Sequence, residues 1–509
     1  MHLATGFDAW ALTLTTFTPL VGLAILLLIP RAEEQLIKVV TLLTTLVTFG
    51  FVVYLMSAFD YDKSSQLQFQ VKKNWIPALN VHYHLGLDGI SLPLLALSAF
   101  IVVLCVIYSW NHFPEPHNPK AFFALLLLLE VGMNGTFVAQ DLILFFIFFE
   151  LVLLPMYFMI GVWGGPNREY ASIKFFLFTL FGSALMLLSF LALYFKGGHT
   201  FDIPELIAAN KHGMTHGVQL LIFGGMFLGF AIKVPMFPFH TWLPDAHTEA
   251  PTVGSVLLAA VMLKLGTYGF IRIALPILPK AASSWAPWIG LLAVIGIIYG
   301  ALGCLAQSDM KRLIAFSSVA HMGYVMLAIS TLTAFGINAA VFGMVAHGLI
   351  TGMLFFIAGS VQHGYGTREM SRLGGLLTQA PKMGWILGFC AMASLGLPGL
   401  AGFWGEFPAI ASSFQPGAGL NEALFRGFMV VAAIGTVFAA GYLLWMLQKV
   451  AFGRPKPEFA ESHVHDVATA EWIAWLPMLV LIVVLGIFPN IMFHTTNGAV
   501  TALTKVFGG

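Results

Sequence analysis

The chain has 509 residues, of which 59% are hydrophobic and only 9% charged, about a third of the charge that a soluble domain carries. Lys plus Arg and Asp plus Glu nearly cancel, 24 against 23, for a formal net charge of +1. This excludes a nucleic-acid binder, which needs a basic face, and a disordered chain, which is poor in apolar residues.

The three cysteines, Cys105, Cys304 and Cys390, stand singly in apolar runs, so no disulfide framework, zinc site or iron–sulfur ligation is expected. No Gly-rich phosphate loop follows a strand-like run, which argues against nucleotide binding by this chain. What remains is a polytopic membrane protein. About 20 apolar residues cross the hydrocarbon core as a helix, because no unpaired backbone group is tolerated there. Fourteen stretches meet that length: 9–29, 36–57, 87–108, 121–139, 142–163, 171–195, 218–239, 252–278, 286–306, 312–330, 335–361, 383–413, 424–450 and 470–493. The first is no signal peptide, since Met1 to Asp8 carry no Lys or Arg and the apolar run is too long for cleavage. Thirteen Lys and Arg fall in loops after odd-numbered helices and nine on the other side. The bias places odd-numbered loops in the cytoplasm and both termini in the periplasm.

The polar residues within the spans suggest a repeat. Lys233 precedes Pro235 by two residues and Glu406 precedes Pro408 by two, an offset of 173. The same offset carries Lys174 onto His347 and Glu150 to within two residues of His321. Two five-helix units, helices 4–8 (121–280) and 9–13 (281–452), would then follow helices 1–3 (1–120) and precede helix 14 (453–509). An odd number of helices per unit forces the second to enter from the opposite face. The expected fold class is an all-α polytopic membrane protein with two inverted five-helix repeats. Pro235 and Pro238 break helix 7, and Leu397-Pro398-Gly399 break helix 12; such interruptions mark transport pathways.

Four charges sit at membrane depth: Glu150, Lys233, Lys264 and Glu406. Each costs at least about 2.5–3.5 kcal/mol there, so each must face protein or water and find a partner. A desolvated lysine loses its proton more easily, and a nearby carboxylate opposes that loss. Two acids and two lysines on four helices, half of them beside breaks, therefore point to proton conduction more than to ion-pair cement. His321 and His347, in helices 10 and 11, need the least tuning to shuttle protons at neutral pH, and could link Lys264 to Glu406 through water. His240 and His247 read as loop anchors at the cytoplasmic end of helix 7. Glu130, in helix 4, belongs either to an entry path or to a contact with a neighbouring subunit. Glu406 has no Lys or Arg at its depth except Lys264.

Four segments carry a resemblance: FHTWLPDAHTEAPTVGSVLLAAVMLKLGTYG (239–269), SDMKRLIAFSSVAHMGY (308–324), Phe149-Glu150 with Pro155, and GLPGLAGFWGEF (396–407). With them the chain resembles, over nearly its whole length, the antiporter-like subunits of respiratory complex I, the proton-pumping NADH–quinone oxidoreductase. Glu at position 406, and an end soon after helix 14, match the M-type branch, whose two paralogues carry Lys there. Ala320 departs from the serine frequent in that family. The resemblance implies that Glu150 and Lys233 form a regulating pair, Lys264 the central proton carrier and Glu406 the terminal one. It implies a subunit of a translocase in the bacterial cytoplasmic membrane, coupling quinone reduction to pumping without a redox centre of its own. NADH, FMN, iron–sulfur clusters and quinone would reside in or at other subunits, and L-type and N-type paralogues and small membrane subunits would be partners, with no nucleic acid. The rivals are a D-type subunit of a multisubunit sodium/proton antiporter, a membrane subunit of a related hydrogenase, and a passive scaffold in which the charges only cement helices.

Overall fold

The computed structural model describes residues 3–209, 214–460 and 464–508. Thirteen helices among them are long and apolar enough to cross a membrane. They are α1 (Asp8–Leu28), α2 (Glu34–Ala58), α3 (Ser91–Tyr108), α4 (Pro119–Val138), α5 (Leu142–Trp163), α6 (Arg168–Lys196), α7 (His216–Lys233), α8 (Thr252–Ile277), α9 (Pro279–Leu305), α10 (Met310–Ser330), α11 (Ala334–Tyr365), α13 (Glu422–Val450) and α14 (Thr469–Ile487). The remaining expected span is split into α12a (Pro381–Ser394) and α12b (Ala401–Ser412). Between the halves Gly396 and Gly399 take φ of 76° and 92°, a backbone that a Cβ disfavours. Beyond Lys233 the chain turns irregular through Pro235 and Pro238 and resumes as α7b (Trp242–Glu249). Both expected breaks are present. The expected stretch 470–493 is not one helix, because Phe488-Pro489 separates α14 from a terminal helix α15 (Asn490–Thr504).

Helix starts follow local chemistry. Asp141 accepts from the Ile143 and Leu144 amides at the head of α5, Asp309 from the Arg312 amide at the head of α10, and Thr333 from the Gly336 amide at the head of α11. Each satisfies a donor left open by the first turn. The packing is layered: α10 and α11 are buried almost throughout, as is α8, whereas α1, α2, α6 and α13 leave an apolar side open. A helix apolar on all sides belongs inside a large bundle. The polar residues that α8, α10 and α11 carry are thus removed from lipid.

The segment 58–86, read from sequence as a plain loop, contains an antiparallel hairpin, β1 (Gln68–Ile76) and β2 (Val81–Leu87), with Val71 opposite Leu85 and Lys73 opposite Tyr83. It is tied to the heads of other elements. The Gln140 amide donates to the His84 carbonyl, the Ile203 amide to the Gln140 carbonyl, and the His82 amide to the Asp141 carboxylate. Lys72 then bridges Asp202 and Glu205 at 2.8 and 2.7 Å, and His84 meets Asp202 at 2.6 Å. Burial alone would raise the Asp202 carboxyl, but the hydrogen bonds from His84 and Lys72 hold it below the usual carboxylate range.

Candidate functional site: a buried polar axis

Lys264 lies on α8 and is fully buried. Just before it, Leu258–Met262 form a π-turn, which widens the helix and frees a carbonyl. The Ala259 carbonyl accepts from Lys264 Nζ, and His347 Nδ1 of α11 lies 2.7 Å from the same nitrogen. A charged lysine can only donate, so Nδ1 accepts and a neutral His347 carries its proton on Nε2. The rings of His347 and His321 are 6.0 Å apart between centroids. His321 Nδ1 lies 2.5 Å from Glu406 Oε1, while its Nε2 is 3.1 Å from both the Ser394 and Tyr442 hydroxyls. A cavity of about 20 Å³ bordered by His321, His347 and Glu406 adjoins the chain, enough for one water. Lys264, His347, His321 and Glu406 therefore lie in one line across α8, α11, α10 and α12b, with direct contacts at its two ends and a gap between the imidazoles that the cavity adjoins.

The partner of Glu406 is the His321 imidazole; among the described residues no lysine or arginine pairs with it. Ser394 and Tyr442 were not singled out in the sequence; only the three-dimensional meeting of α12a and α13 with α10 places them on His321.

The second pair is looser. Glu150 closes the first segment of α5, where the helix is interrupted at Val152. Lys233 ends α7; its Nζ is 3.5 Å from the Phe149 carbonyl and 4.5 Å from the centre of the Phe149 ring. Glu150 and Lys233 are adjacent electrostatically, yet among the described residues no direct ion pair joins them. Lys174, which the 173-residue offset aligns with His347, instead pairs with Asp245 at 2.7 Å.

Glu130 is fully buried within α4, and neither carboxylate oxygen has a hydrogen-bond partner among the described residues. It does not reach the surface, which removes the subunit-contact reading. His240 packs against Phe237 and Tyr299. The His247 carbonyl accepts from the Ser255 hydroxyl at 3.0 Å, but its ring is fully buried, stacked 4.6 Å from Phe355, with both nitrogens open among the described residues. Lys311, counted among the loop cations, is 2% exposed and donates to the Ala250 carbonyl. The Asp309 cap beside it reads as a helix start, but the phase that turns Lys311 inward is set by packing.

Discontinuous helices around a mid-bundle line of ionisable groups are the architecture of transporter-like membrane proteins. Comparisons with known proteins narrow this. The family model described as NADH:quinone oxidoreductase/Mrp antiporter, TM, matches residues 139–435, and that of NADH-ubiquinone oxidoreductase chain 4, amino terminus, matches 13–133. The chain is 39% identical over 507 residues to NADH-quinone oxidoreductase subunit M of Rhodobacter capsulatus, covering 97% of this chain and 96% of the other. It is 39% identical over 480 residues to NADH-ubiquinone oxidoreductase chain 4 of Chondrus crispus, covering 94% of each. A chain of respiratory complex I from Thermus thermophilus with bound NADH superposes with a TM-score of 0.86 at 30% identity, over 98% of this chain and all of that one. A chain of the Mrp complex from Dietzia shares the fold, with a TM-score of 0.85 at 19% identity over 99% and 98% of the two chains. The chain belongs to the NADH:quinone oxidoreductase/Mrp antiporter membrane family, among its subunit M and chain 4 members.

Proposed function

We propose that this chain is the proton-translocating M-type membrane subunit of an NADH–quinone oxidoreductase. It acts beside L-type and N-type paralogues and small membrane subunits, in a bacterial cytoplasmic membrane with both termini periplasmic. The observation that carries the reading is the Lys264–His347–His321–Glu406 line, buried where charge is costly and made wholly of groups that exchange protons, with a water-sized cavity beside its one gap. The subunit M relatives favour it over the sodium/proton antiporter reading, since the likeness to the Mrp chain is one of fold alone. In this reading Glu150 and Lys233 set the charge state of Lys264 through space, and Glu406 releases the proton. Helices α4–α8 and α9–α13 act as inverted halves. The chain holds no redox centre; NADH, FMN, iron–sulfur clusters and quinone work in or at other subunits.

Proton pumping per NADH oxidised, measured in reconstituted vesicles, tests it. Glu406→Gln keeps the shape but cannot titrate, and should cut pumping about tenfold or more. Glu406→Asp should retain part. Glu406→Lys sets a cation against the His321 imidazole and should do no better than Gln. Full pumping by the Gln variant would leave Glu406 a structural ligand of His321 and overturn the reading.

A further inference from the structure

A groove separates α3 from α14 in the half of the bundle that the Lys/Arg bias assigns to the periplasm. Its origin lies in how α14 is held. At the cytoplasmic end α3, α11 and α14 are clasped together. His112 Nε2, just past α3, is 3.4 Å from Glu471 Oε1 at the head of α14, the Ser360 hydroxyl of α11 donates to that oxygen, and the Tyr108 hydroxyl of α3 lies 3.1 Å from Ser360. At its other end α14 is drawn towards helix 12. The Trp404 indole of α12b donates to the Gly486 carbonyl at 2.8 Å, and the Gly399 carbonyl sits so close to Gly486 that no Cβ fits there. Two helices joined at one end and pulled apart at the other enclose a wedge. Past Phe488-Pro489 the chain returns as α15 to the head of α3, where the Thr495 carbonyl leaves no room for a Cβ on Gly89.

The wedge has a volume of about 1190 Å³, above the roughly 300–1,000 Å³ of a small-molecule pocket. Pro477 of α14 and Phe100 of α3 line its inner end, and Ile487 and Leu92 its outer end. From Pro477 to Ile487 a helix rises about 15 Å, half of the roughly 30 Å hydrocarbon core. Val345 and Leu349 of α11 form the floor, and Val480, 49% exposed, stands at the open side. The polar groups gather at the outer end, where the Tyr61 and His494 rings are 6.2 Å apart and Asn490 opens α15. The positive pole of the α15 dipole therefore lies at the same mouth.

We propose that this groove binds one phospholipid of the periplasmic leaflet, its acyl chain lying between α3 and α14 down to Val345 and Leu349 and its phosphate beside Tyr61, Asn490 and His494. The depth is that of one leaflet, and the order from polar mouth to apolar floor is that of a lipid. The mouth also matches a phosphodiester in charge, with a helix N-terminus and an imidazole and no carboxylate among the residues that line it. A transmembrane helix of another subunit needs the full bilayer thickness, which the clasp at His112 and Glu471 closes off. Val345 and Leu349 each lie two residues from His347, about 200° around α11, so the lipid covers the side of that helix turned away from the axis. The site goes beyond the translocation reading and does not depend on it.

The test uses the assembled complex in vesicles of phosphatidylethanolamine and phosphatidylglycerol. A trace of phosphatidylglycerol carries a diazirine at the end of one acyl chain, and labelled peptides are read by mass spectrometry after illumination. The label should fall on Phe100, Val345, Leu349 and Pro477, and an isomer with the diazirine beside the glycerol should instead mark Tyr61 and His494. Ala96→Trp fills the groove from α3. It should cut labelling of α11 about tenfold, the equivalent of about two methylenes no longer buried. Val480→Trp should do the same from α14, so the result does not hang on one variant assembling. Val437→Trp, on the open side of α13 at a residue 70% exposed, should leave labelling unchanged. An unlabelled α11 in the parent complex means that something other than lipid fills the groove and overturns the proposal. So does full labelling in both tryptophan variants, or loss of labelling to an equimolar isoprenoid quinone, which would make the groove a quinone site.

Discussion

At the scale of single residues, the two halves of the axis are built differently. Between Lys264 and Glu406 two direct contacts, Lys264–His347 and His321–Glu406, flank a gap between the two imidazoles, whose centroids are 6.0 Å apart beside a cavity with room for one water. Between Glu150 and Lys233 there is no bond among the described residues, only field, and Lys233 leans on the Phe149 carbonyl and ring. An interaction through low dielectric keeps its strength without fixing geometry, which suits a pair that has to respond to its partner's charge. Glu150→Gln and Lys233→Ala should each depress coupled quinone reduction strongly, by about tenfold or more, while native gels show full assembly. Normal turnover in either assembled variant would remove the pair from the mechanism.

At the scale of elements, close approach decides what the side chains can do. A Cβ built on Gly405 would meet the Gly343 backbone of α11 at 2.6 Å, so α12b sits on α11 with no room for a methyl. Gly405→Ala must push α12b away, at a cost of about 1–3 kcal/mol, and carry the adjacent Glu406 off His321. Pumping should drop while thermal stability of the complex falls only modestly; unchanged pumping would mean that the 2.5 Å contact is dispensable. The hairpin clasp behaves as a separate unit. Asp202, depressed below its ordinary value, contributes stability above the unfolded aspartate value of about 3.9, lost as pH falls through the lower folded value. Lys72, which burial would lower but Asp202 and Glu205 raise, contributes below about 10.5 and loses it as pH climbs past the folded value. The clasp should thus hold across the whole neutral range. Lys72→Ala should loosen it at pH 7 by about 1.5–3 kcal/mol, read as faster hydrogen exchange of the β1 and β2 amides. Unchanged exchange would show that the backbone bonds alone hold the hairpin.

At the scale of the whole molecule, orientation is testable by labelling. A cysteine at Ser371, exposed in the loop after α11, should be shielded from an impermeant thiol reagent in intact cells, whereas one at Ser65, exposed before β1, should react; the reverse pattern would invert the molecule. The spans and both breaks were legible because apolar length and Pro/Gly placement act locally, as at Leu397-Pro398-Gly399. The ionisable residues were legible because their cost at depth makes them conspicuous. Which of them touch was not. The contact of His347 with Lys264 depends on the π-turn at Leu258–Met262, and the inward turn of Lys311 on the phase of α10, neither of which leaves a periodic signal. The hairpin escaped notice because its alternation is short and its strands, Lys72 and Lys73 among them, read as polar loop.

The burial of α11 has a consequence for how the protein is made. Its 32 residues span about 48 Å and pack against α12b, α14 and α15, all of which leave the ribosome after it. At about 5–20 residues per second, α14 is complete only some ten seconds after α11. Throughout that interval Asn338 and His347 have no finished wall around them. Assembly therefore requires a temporary host for α11, either the insertion machinery or an earlier-made subunit, and nascent chains halted between α12b and α14 are the ones that quality control should meet most often.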